Sequence, residues 1–197
     1  VATWGNTVAA VLKDCDIPAH VESNTGFFSS YEIQVILSML RILDNPLQDI
    51  PMAAVLASPI VGMDDEELAQ IRSAFKGVSF AQAALSAMAG EDGYEDEKLK
   101  AFALVFERLR GAVADTPIHE LLYMMLDETG FYRYASAMPA GKRRRQNIEM
   151  LIEMAAAYEK TSYKGLVHFV RYIDIQQKYE IAYGEAESVG GNSDVVR

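Results

Sequence analysis

Apolar residues recur at every third or fourth position along most of the chain, the spacing that places them on one face of an α-helix. Between Ser29 and Pro46 these positions are Ile33, Ile36, Leu37, Leu40 and Leu43. Similar stripes predict further helices at residues 3–15, 51–57, 64–75, 79–90, 97–112, 117–129, 142–160 and 163–179. The pattern therefore predicts an all-α, multi-helix protein with about eight helices.

Several predicted helix starts fit the capping box. In this motif a short polar side chain and a Glu or Gln three residues later each accept a hydrogen bond from the other's backbone N–H. The pairs are Ser29 with Glu32, Asp64 with Glu67, and Ser79 with Gln82. Helix ends are predicted at Asn45-Pro46 and at Gly130, because Pro and Gly stop helices.

Extended structure is predicted only near the two ends of the chain. Residues 17–21 include Pro18, which disfavours helix, and residues 194–197 resemble the start of a strand. Residues 184–193 are rich in Gly, Ser and Glu, so we expect a mobile tail there. At most one short strand pair is expected, and both ends have the character of boundaries within a longer protein.

The composition is that of a globular protein. Half of the 197 residues are hydrophobic, which suits one folded domain. Cys15 is the single cysteine, so no intramolecular disulfide is expected. No secretory signal is recognised, and no apolar run approaches the roughly 20 residues that span a bilayer. We therefore expect a cytoplasmic protein with no membrane partner.

A cluster of four cations contrasts with the acidic character of the chain. The net charge of −10 argues against a free-standing nucleic-acid binder. The four consecutive cations follow Gly141: Lys142, Arg143, Arg144 and Arg145. Cations at a helix N-terminus oppose the helix dipole, which favours a functional role such as contact with DNA phosphate. The alternative is a solvated helix start whose cations pair with acids such as Glu149 or Glu153.

Signatures of catalysis are absent from the sequence. It contains no phosphate-binding G-x-x-x-x-G-K-[ST] loop, no G-x-S-x-G elbow and no G-x-G-x-x-G turn. His20, His119 and His168 lie far apart along the chain and lack metal-ligand spacing. We expect neither a catalytic site nor a metal or cofactor in this chain.

An ordered series of short motifs runs through the chain. Gly26, Phe27 and Phe28 precede the pair Glu32-Ile33, a leucine-rich helix and the run Asn45-Pro46-Leu47-Gln48-Asp49. This order resembles the segment just after the fourth helicase motif of UvrD/RecB-like superfamily 1 helicases. Residues 128–132, 138–142 and 162–173 are similar to later segments of the AddA-type helicase–nuclease subfamily. The resemblance covers nearly the whole chain.

The resemblance implies a position within a larger protein. Residues 1–24 would be a sliver of the second motor domain (2A-like). Residues 25–183 would form a helical accessory domain (2B-like), and residues 184–197 would lead to the next motor strand. The landmark residues would be structural: Gly26, Phe27, Phe28, Glu32, Asn45, Pro46 and Asp49.

The resemblance also implies what the parent protein does. Members unwind DNA with ATP and magnesium and process double-strand breaks for recombinational repair, together with a second, AddB-type subunit. The chain itself would be non-catalytic and would meet DNA only within that parent. A free-standing α-helical protein–protein interaction domain, unrelated to DNA, is the alternative.

One turn departs from the family pattern. UvrD-like relatives carry a Gly-Ile-Gly-like turn, whose backbone N–H groups bind duplex phosphates, where this chain has residues 59–63. Here only Gly62 matches, and four acids follow: Asp64, Asp65, Glu66 and Glu67. Because carboxylates repel phosphate, we expect no DNA contact at this turn.

Overall fold

The fold is that of a computed structural model, which describes residues 27–160 and 165–178. Within these ranges the chain forms nine α-helices and a short 3₁₀ turn at Glu91–Gly93, and no residue is in a strand. The all-α prediction is confirmed. The helices are α1 (Tyr31–Asp44), α2 (Asp49–Ala57), α3 (Asp65–Ala74), α4 (Phe80–Met88), α5 (Glu97–Ala112), α6 (Ile118–Thr129), α7 (Phe131–Ala137), α8 (Gly141–Tyr158) and α9 (Leu166–Lys178).

Two of the three predicted capping boxes are confirmed. Both reciprocal hydrogen bonds form between Asp64 and Glu67 at the start of α3, and likewise between Ser79 and Gln82 at the start of α4. The capping box of Ser29 with Glu32 is wrong, because the N-cap of α1 is Ser30 and its side chain makes no capping bond. The Glu32 side chain turns into the protein instead.

The structure adds one helix that the apolar pattern did not predict. Gly130 ends α6 in the left-handed conformation with φ of 64°, as its position predicted. The chain then re-enters a helix at once, forming the seven-residue α7. This helix is too short for its two buried residues, Phe131 and Ala135, to show a recognisable period.

Helix α1 lies at the centre of the fold. It packs against α2, α5, α8 and α9, and ten of its fourteen residues are buried. The side chains of Ile33, Ile36, Leu40 and Ile42 are completely inaccessible to solvent. A stripe of period 3.6 predicts one buried face, whereas α1 is covered by neighbours on several sides.

The described helices include none that is long and apolar enough to cross a membrane. Several predictions lie outside the described residues: the motor-domain sliver at 1–24, the landmark Gly26, and the tail at 184–197.

Candidate nucleic-acid interface

The four predicted cations begin α8, next to the end of α7. Ala140 precedes α8 in the left-handed conformation, with φ of 60°, and provides no side-chain cap. A Cβ atom added to Gly141 would lie 2.0 Å from the backbone oxygen of Ser136. Only glycine therefore allows α8 to start this close to α7, and the close approach places the cations at the corner between the two helices.

Arg144 is held inside this corner by a carboxylate from α1. Its guanidinium pairs with Glu32, which is only 2% exposed, and its Nε donates to the backbone oxygen of Pro139 at 3.1 Å. The second oxygen of Glu32 accepts from Nδ2 of Asn147 at 2.7 Å. The buried carboxylate thus has a counter-charge and two side-chain donors, which is the condition for burying a charge without large cost.

The other three cations face solvent. Lys142, Arg143 and Arg145 are all exposed, and they occupy the start of α8, whose backbone N–H groups also carry partial positive charge. Their charges and the helix end have the same sign. An anion such as phosphate would therefore be attracted by both.

Tyrosines surround the same corner. Tyr132 of α7 donates from its hydroxyl to Glu149 of α8 at 2.8 Å, and this bond, with burial, raises the pKa of Tyr132. On another side, Tyr31 and Tyr134 are about half exposed. Burial, and then the nearby Tyr134 phenol, raise the pKa of Tyr31, while the Arg144 guanidinium acts in the opposite direction. The phenols of Tyr31 and Tyr132 therefore stay neutral at physiological pH.

The landmark residues within the described ranges lie in the core or at helix junctions. Phe27 is buried and meets Phe28 edge to face, with ring centroids 5.0 Å apart. After α1, the Asn45 side chain accepts from the N–H of Leu47 at 3.1 Å in the turn that contains half-buried Pro46.

Asp49 links two helices. Its carboxylate accepts from the backbone N–H of Ala81 at 2.9 Å, at the start of α4. This hydrogen bond is the main cause that lowers the pKa of Asp49, and further donors from Phe80 and Ser79 act in the same direction. The aspartate at the start of α2 therefore serves the N-terminus of α4.

The turn that departs from the helicase pattern uses its own N–H groups. Five consecutive backbone N–H groups donate within the chain: Ile60, Val61 and Gly62 to Ser58, Met63 to Leu56, and Asp64 to Glu67. Lys98 binds both carboxylate oxygens of Glu67 at 2.7 Å and the backbone oxygen of Gly62 at 2.9 Å. The hydrogen bonding supports the expectation that this turn makes no phosphate contact.

No group of three or more potential metal ligands occurs among residues 27–160 and 165–178. His119 has a different partner, because its Nδ1 bonds Glu159, whose other oxygen accepts from the N–H of Ile118 at the start of α6.

Known proteins that match the chain share one description. A protein of Anoxybacillus flavithermus is 41% identical over 197 residues, which are 98% of this chain. Proteins of Bacillus cytotoxicus and Oceanobacillus iheyensis are 38% and 36% identical over 98% and 99% of it. All three are named as the A-type subunit of an ATP-dependent helicase/nuclease. The chain is a homologue of one segment of these helicase/nuclease proteins. The AddA-type resemblance is thereby confirmed.

The match covers only part of each relative. The chain spans 16% of the length of these helicase/nuclease proteins, and no family profile matches it. The relatives' names therefore describe proteins about six times longer than this chain.

The role of Arg144 is the feature of the corner that the cationic motif does not reveal. In the sequence, residues 142–145 are four equivalent cations. Arg144 stands three, four and seven residues before Asn147, Ile148 and Leu151, all of which are buried. This helical spacing is a signal that Arg144 points inward. Its partner Glu32, more than a hundred residues away, carries no such signal.

Proposed function

We propose that this chain is a non-catalytic accessory region of an ATP-dependent DNA helicase–nuclease and that it contacts DNA phosphate through Lys142, Arg143 and Arg145. The observation that carries the proposal is the exposed cationic turn at the start of α8, in a homologue of helicase/nuclease proteins with a net charge of −10. ATP hydrolysis, with magnesium, and nuclease activity would belong to other parts of the protein.

The setting of the three cations supports phosphate as their ligand. Arg144 neutralises Glu32, so the buried carboxylate adds little negative field to the exposed cations beside it. Phosphate contacts come mainly from Arg and Lys side chains and from helix N-termini, and this corner offers both. We therefore assign phosphate binding to three of the four cations and a structural role to Arg144.

The biological context follows from the relatives' names and is part of the proposal. We infer that the whole protein acts on DNA in the cytoplasm together with a second, AddB-type subunit, and that it processes double-strand breaks for recombinational repair. The exposed cations of α8 would position the duplex, since phosphate contacts fix orientation and carry no sequence information.

The test is the salt dependence of duplex binding by the full-length protein. Each phosphate contact contributes a log–log slope of about −0.9 on duplex DNA, so three contacts contribute roughly two to three units. Replacing Lys142, Arg143 and Arg145 with Gln should reduce the slope by that amount, measured by fluorescence anisotropy over a range of salt concentrations. The relative affinities for different duplex sequences should stay the same.

A matched control removes the same charge elsewhere. Lys76, Arg110 and Lys160 are also exposed, and replacing all three with Gln changes the net charge equally. If both triple variants alter the slope to the same extent, only the overall charge matters and the proposed contact is contradicted. An unchanged slope in the α8 variant, with a native thermal melt, also contradicts it.

A further inference from the structure

Two tyrosine rings are exposed beside the cationic turn of α8. Tyr31, the first residue of α1, is 43% exposed, and Tyr134 on α7 is 45% exposed. Large aromatic rings in this fold are otherwise commonly buried, as Phe27, Phe106 and Phe131 are. Exposed rings next to cations therefore need an explanation that core packing does not supply.

Both rings are held in place from below. The ring of Tyr134 lies nearly parallel to that of buried Phe131, with an angle of 17° between the planes and 6.3 Å between the centroids. Tyr31 directly precedes Glu32, whose carboxylate is fixed by Arg144. Little side-chain freedom is left to lose when a ligand packs on them, which favours binding.

The two tyrosines lie in a shared environment at Arg144. The Tyr31 phenol interacts electrostatically with both the Tyr134 phenol and the Arg144 guanidinium. Arg144 is flanked along α8 by the exposed Arg143 and Arg145. Aromatic faces and exposed cations therefore occur side by side at one corner of the fold.

This combination matches one chemical class of ligand. Single-stranded nucleic acid offers a line of phosphates and unstacked bases, and proteins bind it with cationic grooves and aromatic rings on which bases stack. In an intact duplex the base faces are stacked on one another, so an exposed ring gains nothing from them. A cationic corner also suits a polyanion better than it suits the surface of another protein.

We propose that Tyr31 and Tyr134 form a stacking surface for unpaired bases, so that this corner binds the single-stranded arm of a partly opened DNA. The inference rests on the proposed function, since the cations of α8 would hold the phosphates of the same strand. It adds a ligand that phosphate contacts alone do not select: unpaired DNA over duplex.

The experiment compares forked DNA, carrying an unpaired arm, with blunt duplex on the full-length protein. Base stacking contributes about 1–3 kcal/mol per base, or roughly fivefold to a hundredfold in affinity. Replacing both Tyr31 and Tyr134 with Leu should weaken forked-DNA binding by at least that factor and change duplex binding by less than about twofold. Replacing both with Phe, which keeps the ring, should preserve fork binding. Tyr123→Leu removes another exposed tyrosine and should have no effect.

Photo-crosslinking of the unaltered protein provides a second measurement that no folding defect can affect. A photoreactive 5-iodouracil base in the unpaired arm should form adducts at Tyr31 or Tyr134. Adducts found only in other segments would overturn the proposal. So would a Leu variant that loses fork and duplex binding equally, loses neither, or loses contact with a partner protein instead.

The Phe variants also decide. If they weaken fork binding as much as the Leu variants do, the hydroxyl groups matter rather than the rings, and stacking is refuted. Unaffected fork binding in the tyrosine variants, together with a reduced salt slope in the α8 Gln variant, would leave the phosphate proposal standing and remove only this one.

Discussion

Replacing Arg144 with Gln should separate a structural arginine from its exposed neighbours. The substitution removes the counter-charge of Glu32, which is 2% exposed, and leaves its carboxylate with the single side-chain donor Asn147. It also removes the hydrogen bond from Nε to the backbone oxygen of Pro139. The loss therefore falls on a buried charge rather than on solvent-exposed surface.

The magnitude follows from the burial of the pair. Removing one partner of a fully buried ion pair costs about 3–5 kcal/mol. The Arg144 side chain is 23% exposed, so water can partly replace it, and we expect the lower end, about 3 kcal/mol. For a protein of this size the melting temperature should fall by roughly 6–12 °C. Arg145→Gln, at an exposed position of the same helix, should change stability by less than about 0.5 kcal/mol.

Urea unfolding followed by far-ultraviolet circular dichroism measures both variants. A double-mutant cycle provides the check on cause, because in a Glu32→Gln background no buried charge remains to be neutralised. There the cost of Arg144→Gln should shrink by about 1–3 kcal/mol, the usual range for residues in contact. Equal costs for the Arg144 and Arg145 variants, or no coupling with Glu32, would refute the assignment.

Two further substitutions test local features. Gly141→Ala should destabilise by about 1–3 kcal/mol because its Cβ would collide with the backbone of Ser136. Gly111→Ala in α5, where a Cβ meets nothing within 4 Å, should gain up to about 1 kcal/mol in urea unfolding; equal signs would contradict the close approach. The pKa of Asp49 is lowered in the fold, so its contribution to stability is complete above the unfolded pKa of about 3.9 and is lost as the pH falls below it. Asp49→Asn should therefore make stability depend less steeply on pH between about 5 and 2, and an unchanged acid limb would count against this account.

Local features of the fold could be read from the sequence because their causes are local. The capping boxes at Asp64 and Ser79 and the helix stop at Gly130 depend on residues within one turn of each other. The helical period needs only neighbouring positions, which is why the all-α prediction is confirmed. The same rule failed at Ser29 and Glu32, since a partner from α8 draws the glutamate inward and overrides the local capping pattern.

The sequence by itself determined the helices, the acidic balance and the place of four adjacent cations at one helix start. The tertiary structure decided which of those cations is occupied, because Glu32 and Arg144 meet only when α1 and α8 pack together. It also brought Tyr31 and Tyr134 to the same corner. Contacts between residues about a hundred positions apart depend on how helices pack. A single sequence encodes that packing in the shape of its whole core rather than in any motif.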